Sequence, residues 1–281
     1  MNAPIRPLPI RPGQIVAHAV LIVVIGLSLY PFVFMLMTSV KNFDQFYHGY
    51  FRLTFPFHFV NYAEAWQQIS TFIFNSVYTT AVAVVFTVVF AALAGYGFAR
   101  YRFPGSELLF YSVIFVMMVP DILSMLPVFV TLREFNLLDT HLALILVYVS
   151  RGQVLGVFIF RNFFVSVPDD LFHAAEIDGA GEIRTLRSIV VPLSKPIIFT
   201  VAIMSTLSFW NEYIWPLITL STQRLWMITQ GLVAFQSRYA GMAAWGPLFA
   251  GYVLSSIPLI LLFAFTMQYF IAGLTSGAVK G

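Results

Sequence analysis

Hydrophobic residues in this chain come in long unbroken runs rather than in the stripes of surface helices. Six runs stand out, at 15–38, 72–98, 107–130, 142–164, 197–220 and 246–274. Each is near or above the ~20 residues that an α-helix needs to cross a bilayer. Strands of a membrane barrel would alternate apolar and polar residues at period two, and these runs do not. Pro31, Pro120, Pro127, Pro216 and Pro258 fall inside the runs or at their edges. Such prolines predict kinks, whose freed carbonyls neighbouring helices satisfy. The predicted fold class is an all-α polytopic membrane protein with six transmembrane helices.

Composition narrows the picture further. The chain is 59% hydrophobic and 10% charged, with a mean hydropathy of +0.85. A soluble domain is about 45–50% apolar and about 25% charged. The net charge of +3 needs no nucleic acid to explain it, because cytoplasmic loops of membrane proteins collect Lys and Arg. There are no cysteines, so disulfides, thiol chemistry and Cys-ligated metals are excluded. His18, His48, His58, His141 and His173 are scattered without ligand spacing, and no metal site is expected. The first run follows Arg6 and Arg11, is longer than a signal-peptide core and lacks a cleavage site, which predicts a retained span.

Basic residues also set the orientation. One side collects the N-terminus, Arg100, Arg102, Arg161, Arg184, Arg187, Lys195 and Lys280. The other holds fewer: Lys41, Arg52, Arg133, Arg224 and Arg238. Both termini are therefore expected in the cytoplasm. The opposite side carries the longer connections, 39–71 and 221–245. The first is aromatic-rich and includes Trp66, as suits a chain resting at the membrane interface.

One loop is unlike the rest. Residues 173–196, "HAAEIDGAGEIRTLRSIVVPLSKP", concentrate charge between spans four and five. Pro168 suits a first helical turn, and Asp169 and Asp170 suit the positive end of a helix dipole. A helix over 169–177 is expected, carrying Leu171, Ala174 and Ala175. Asp178-Gly179 reads as its end, with Gly supplying a left-handed turn. Glu182 opens a second helix, with Ile183, Leu186 and Ile189 or Val190 on one face and Arg184 and Arg187 on another. Pro192 and Pro196 stop it. A plain connection takes about 2–8 residues, and this one takes far more. Its acidic residues oppose an anionic leaflet, so a docking element for a soluble partner is favoured over a helix lying on lipid. The small pair Ala174 and Ala175 would let such a partner approach closely.

"AAEIDGA" followed by "IVVPLSKP" resembles the EAA loop of ABC importer permeases in the carbohydrate-uptake, maltose and glycerol-phosphate branch. "GYGFARYRFPG" (95–105), "LPVFVTLREFNLLDTHLALIL" (126–146), "WNEYIWPL" (210–217) and "GLTSGAVKG" (273–281) agree with it. The resemblance covers essentially the whole chain. It implies a permease of the bacterial or archaeal cytoplasmic (inner) membrane that moves a sugar by alternating access. The implied partners are a second homologous permease, two copies of an ABC ATPase, an extracytoplasmic solute-binding protein and membrane lipid. It also implies that His173, Ala174, Ala175, Glu176, Asp178, Gly179 and Ala180 couple to the ATPase. The tail, through Ser276, Gly277 and Lys280, is implied to reach between the ATPase subunits. His173 stands where the family has its first Glu, and Glu176 shares its helix face as a substitute. Gly181 replaces a Ser or Thr cap, a slightly weaker choice.

No phosphate-binding Gly-x-x-x-x-Gly-Lys-Ser/Thr motif is present. Gly95 and Gly97 read as close helix packing. No catalytic residue and no cofactor is expected in this chain, ATP and Mg being bound by the partner ATPase. Asp121, Arg151 and Glu212 fall inside predicted spans, where each charge needs a partner or water. They are candidates for pairing across helices or for lining the solute path. Trp210, Asn211 and Tyr213 beside them suit sugar faces and hydroxyls. The expected organisation is a cytoplasmic tail (1–14), a first span with its outer connection (15–71), a permease core (72–275) with the coupling loop at 166–196, and a second tail (276–281). Competing readings are a glycerol-phosphate-type permease and an ion-coupled secondary transporter. The latter usually shows matching broken repeats, and none is evident in the sequence.

Overall fold

The structure, a computed structural model, describes residues 12–278, with side chains described for 13–267. Every regular element among the described residues is helical. In chain order these are α1 (Pro12–Ser39), α2 (Phe43–His48), α3 (Val60–Arg100), α4 (Ser106–Val116), α5 (Asp121–Glu134), α6 (His141–Val165), α7 (Asp170–Ile177) and α8 (Glu182–Thr185). A π-helical turn (Leu186–Val190), α9 (Val191–Leu193), α10 (Lys195–Trp210), α11 (Ile214–Thr219), a 3₁₀ turn (Gln223–Leu225), α12 (Ile228–Gly241) and α13 (Trp245–Ala278) follow.

Helices α1, α3, α6 and α13 are long and apolar enough to cross a membrane. Two bent pairs raise the number to six if each pair is one span. The predicted run 107–130 is one of them. It breaks between Val116 and Asp121, and its halves are bent by 98°. Pro120 sits at the cap of α5 with an extended ψ of 128°, where its missing N–H removes a helical bond and its ring excludes the preceding residue from helix. The predicted run 197–220 is likewise interrupted, at Asn211–Tyr213 between α10 and α11. The predicted outer connections are also largely helical: 39–71 contains α2 and the first turns of α3, and 221–245 contains α12.

The chain divides into two compact units, residues 1–67 with 235–254, and residues 68–234 with 255–281. In the first, the segment after α1 is tied down by polar bonds. Asn61 Nδ2 donates to the carbonyls of Ser39 and Lys41, both at 2.9 Å. Lys41 is fully buried, and its Nζ donates to Gly49 O at 2.8 Å and Tyr50 O at 3.0 Å, just beyond α2. Burial holds its ammonium below the ordinary lysine pKa. Phe46 stacks on Trp245 at 5.4 Å. Close approach at Gly246, where a Cβ would meet Lys41 O at 2.1 Å, accounts for that glycine.

The second unit is organised along α3 and α6. Thr87, Ala91 and Gly95 on α3 face Gly152, Gly156 and Phe160 on α6. A Cβ on Gly95 would lie 2.6 Å from Phe160 Cβ, one on Gly156 2.7 Å from Ala91 Cβ, and one on Gly152 2.6 Å from Thr87 Cγ2. Residues four apart on both helices thus form a small-residue seam, the arrangement by which membrane helices gain packing without a hydrophobic drive. Around it, Tyr148 and Phe209 stack at 4.9 Å in one apolar cluster, and Phe110, Phe160 and Phe164 share another. The turn between α5 and α6 bonds to the segment after α11. Asp139 accepts from the amides of Ser221 and Thr222, both at 2.9 Å, and from the Thr222 hydroxyl at 2.6 Å. These donors hold its carboxyl below the ordinary aspartate pKa.

Candidate functional site

A cleft of about 660 Å³ opens in the second unit between the α4–α5 break, α6 and α10. Its walls are mainly apolar, with Asp121, Ser124, Ser150, Arg151, Ser205 and Ser208 as polar lining and Phe209 and Trp215 as aromatic lining. On α6 the lining follows Val147, Ser150, Arg151 and Val154, and on α10 Val201, Met204, Ser205 and Ser208. Both sets keep the i, i+3, i+4, i+7 spacing of one helical face.

Arg151 organises the polar end. One guanidinium nitrogen pairs with Asp121, and the other donates to Glu212 Oε2 at 2.8 Å. The second oxygen of Glu212 accepts from the amides of Ile214 at 3.0 Å and Trp215 at 3.4 Å. Glu212 therefore caps α11 while it holds Arg151. Asp121, the first residue of α5, sits where a helix dipole favours an anion. The three charged candidates of the sequence come together, two of them at the ends of broken helices. Asp121 and Arg151 line the cleft, whereas Glu212 braces Arg151 from behind.

The neighbouring aromatic candidates are placed differently. Trp210 is buried, Asn211 ends α10 with its amide donated to Leu207 O at 2.8 Å, and Tyr213 precedes α11. None of the three lines the cleft. Trp215, the second residue of α11, does. The serine stripe on α6 and α10 was not singled out from the sequence. Its signal is the helical spacing that Ser150 and Ser205 share with apolar lining positions.

The charged segment forms a helix–turn–helix. Helix α7 ends at Asp178, Gly179 takes φ +70°, and α8 begins after Gly181. His173 Nδ1 lies 3.7 Å from Glu176 Oε2, so the residue at the altered family position and its expected substitute are in contact. Ala174, Asp178 and Gly179 are exposed, Ala180 half-buried and Ala175 buried. The expected small-residue face thus turns one alanine inward. Among its charged residues the turn also presents two apolar side chains outward: Ile177 is 87% exposed and Ile183 84%. Ile183 does not join Leu186 and Val190 on a covered face, and Thr185 takes the buried position instead. Nor does Pro192 end the second helix. The chain widens into a π turn, with Val191 N–H donating to Leu186 O, which makes room for a residue that has no N–H. The stop comes at Ser194, where α10 departs at 72°.

Contacts also run from this segment to α3. Arg100 pairs with Asp169 and donates to Val167 O at 2.9 Å, and its guanidinium lies 3.6 Å from the Phe172 ring centre. Glu182 neighbours Tyr101 and holds its phenol above the ordinary tyrosine pKa. The tail candidates Ser276, Gly277 and Lys280 fall outside the residues whose side chains are described.

A family model described as "Binding-protein-dependent transport system inner membrane component" matches residues 87–276, which include the cleft and the helix–turn–helix. The diacetylchitobiose uptake system permease protein NgcG of Streptomyces coelicolor is 33% identical over 263 residues, covering 93% of this chain and 87% of its own length. The arabinooligosaccharides transport system permease protein AraQ of Bacillus subtilis is 35% identical over 208 residues, covering 74% and 73%. The trehalose/maltose transport system permease protein MalG of Thermococcus litoralis is 29% identical over 271 residues, covering 95% and 96%. Among solved structures, a chain of a bacterial ABC transporter involved in the import of the acidic polysaccharide alginate superposes with a TM-score of 0.80. It is 22% identical, over 94% of this chain and 100% of that one, a likeness of fold.

Proposed function

Because the chain belongs to the family of binding-protein-dependent transport system inner membrane components, we propose that it is one of two permease subunits of a sugar importer powered by a separate ABC ATPase. The observation that carries this is similarity over 93% of the chain to a diacetylchitobiose permease, with arabinooligosaccharide and trehalose/maltose permeases alongside. In this reading α4 with α5 is one span and α10 with α11 another, giving six with α1, α3, α6 and α13, and both termini face the cytoplasm. The helix–turn–helix at 166–196 then docks on the ATPase through the exposed surface around Ile177, Glu176 and Ile183. His173, Ala174, Asp178, Gly179 and Ala180 belong to that surface, with Ala175 behind it, and the tail residues Ser276, Gly277 and Lys280 contact the ATPase pair. ATP-driven closure of the ATPases displaces this element, and the cleft beside Arg151 alternates between the two sides. A solute-binding protein delivers the sugar from outside.

A neutral sugar fits the cleft chemistry. Serine hydroxyls bond sugar hydroxyls, Phe209 and Trp215 offer apolar faces, and Arg151 is already matched by carboxylates. A phosphate ester needs surplus cationic groups, which disfavours the glycerol-phosphate alternative. Trp210, Asn211 and Tyr213 then support the bend rather than touch the solute.

Reconstitution in proteoliposomes tests the proposal. With the second permease, ATPase and binding protein present, labelled oligosaccharide accumulates only with ATP and Mg²⁺. Accumulation by this chain alone under a proton or sodium gradient would overturn it in favour of a secondary transporter.

A further inference from the structure

The helix–turn–helix is joined to the rest of the unit through the chain at both ends, from α6 and into α10, and it has a third, non-covalent attachment on α3. Arg100, the last residue of α3, makes part of it, beside the packing of Phe172 and Val190 in the apolar cluster around Phe160 and Phe164. Its side chain is 15% exposed, while that of Asp169 is 74% exposed. An ion pair whose acid stands in water contributes little. The guanidinium is placed instead by the face of Phe172 at 3.6 Å and the Val167 carbonyl at 2.9 Å. Phe172 also lies beside Tyr96, one turn earlier on α3, at 6.4 Å between ring centres. The next residue, Tyr101, meets Glu182, which opens α8. Arg100 thus holds the arm of α7, and Tyr101, just beyond α3, neighbours that of α8. One turn back from Arg100, Gly95 brings α3 into backbone contact with α6. A push on α7 therefore meets a rigid path through Arg100 and the glycine seam to α6, which bears Arg151.

We propose that Arg100 is a positioning residue that transmits displacement of the helix–turn–helix to α3, so that its loss separates ATP hydrolysis from solute movement without abolishing ATPase docking. This rests on the reading that the ATPase docks on this element. The test uses the whole importer in proteoliposomes with Arg100→Met, Arg100→Lys and Asp169→Asn. Three quantities are read: ATPase co-purified, ATP hydrolysed and sugar taken up. Arg100→Met is expected to retain the ATPase at the unmodified level while sugar per ATP falls about fivefold or more, within the range of coupling between sites. Arg100→Lys, which keeps the charge over Phe172, recovers part of it, and Asp169→Asn changes it less than about twofold.

The chain has no cysteine, so labels on Leu171→Cys, exposed on α7 away from the docking residues, and Gly97→Cys report the α7-to-α3 distance directly. That distance is expected to keep one narrow distribution with and without ATP, and to broaden in Arg100→Met or, should that variant not fold, in Arg100→Lys. Unchanged sugar per ATP, an unbroadened distance, or ATPase binding lost in proportion to uptake would each overturn the proposal. If the unmodified chain binds no ATPase, the docking reading itself fails, and that result is seen before any variant is made.

Discussion

Two glycines separated by one tyrosine give a sharp test of the α3–α6 seam. Substituting Gly95 with Ala places a Cβ 2.6 Å from Phe160 Cβ and 2.9 Å from the backbone nitrogen of Arg161. Carbon atoms in contact settle about 3.5–4.0 Å apart. The helices must therefore separate by about 1 Å, because a backbone atom cannot rotate away. Gly97 has nothing within 4 Å of the same position. Helix propensity favours Ala over Gly by about 1 kcal/mol at either site. Overpacking costs about 1–3 kcal/mol and applies to Gly95 alone. Gly97→Ala should then be neutral or stabilising, and Gly95→Ala less stable than it by about 1–3 kcal/mol. Thermal unfolding followed by intrinsic fluorescence, with both variants in one detergent, measures this at about 2–4 °C per kcal/mol. The seam also predicts that Ala91→Gly partly rescues Gly156→Ala, whose Cβ would lie 2.7 Å from that of Ala91. If Gly95→Ala unfolds at or above the midpoint of Gly97→Ala, the close approach does not exist as described.

Substitutions around Arg151 should rank in a fixed order. Arg151→Met strips the partner from Glu212, which is 16% exposed, and is expected to lower stability by about 1–3 kcal/mol, below the fully buried range because Arg151 is partly open to the cleft. Asp121→Asn should cost less than about 1 kcal/mol, and equal effects in the same thermal assay would contradict the geometry. Gly179, at φ +70° with open space around it, should tolerate Asn better than Val, with hydrogen exchange across 170–185 rising in the order Gly, Asn, Val. Asp139 supplies a pH signature. Its carboxyl is held below its ordinary value of 3.8, so its contribution is complete above that pH and is lost as pH falls through the lower folded value. The gap in thermal midpoint between the unmodified chain and Asp139→Asn should close below about pH 4, and a gap that widens there would reverse the assignment.

What the sequence revealed and what it hid divide along a physical line. Local rules carried α7, expected over 169–177 and found at Asp170–Ile177, and the left-handed Gly179. Each depends only on residues within a turn or two. The α4–α5 break did not emerge, because hydropathy does not change across it, and the polar Asn211 and Glu212 at the other break read as solute contacts. Val116 to Val119 is as apolar as the helix before it, and Pro120 and Pro216 predict kinks without saying how far the chain will turn. Arg100 was legible only as a basic residue that orients a loop. Its partners, Val167, Asp169 and Phe172, lie far along the chain, where no local pattern points. Trp215 was passed over for Trp210 because a continuous helix through 211–213 would have aimed the two differently. The inward turn of Ala175 is a fact of tertiary packing, which spacing alone does not determine.

The three paired charges and the helix breaks are one feature. Interrupting an apolar span frees backbone amides at the start of the next helix, and in a low-dielectric setting those amides need an acceptor. At α11 the acceptor is the Glu212 carboxylate, and at α5 the first residue is Asp121. An anion placed there is itself costly in an apolar surrounding unless a cation meets it. The cation comes from α6, a span with no break of its own, and one guanidinium serves both carboxylates because its nitrogens diverge in a fixed fork. Breaking either span alone would have needed one carboxylate and one cation. Breaking two beside the same unbroken helix lets a single arginine brace both, and leaves the triad with one formal negative charge in excess beside a cleft of serines and apolar walls. That excess follows from how the helices are interrupted, and it is part of why a neutral sugar is the solute proposed above.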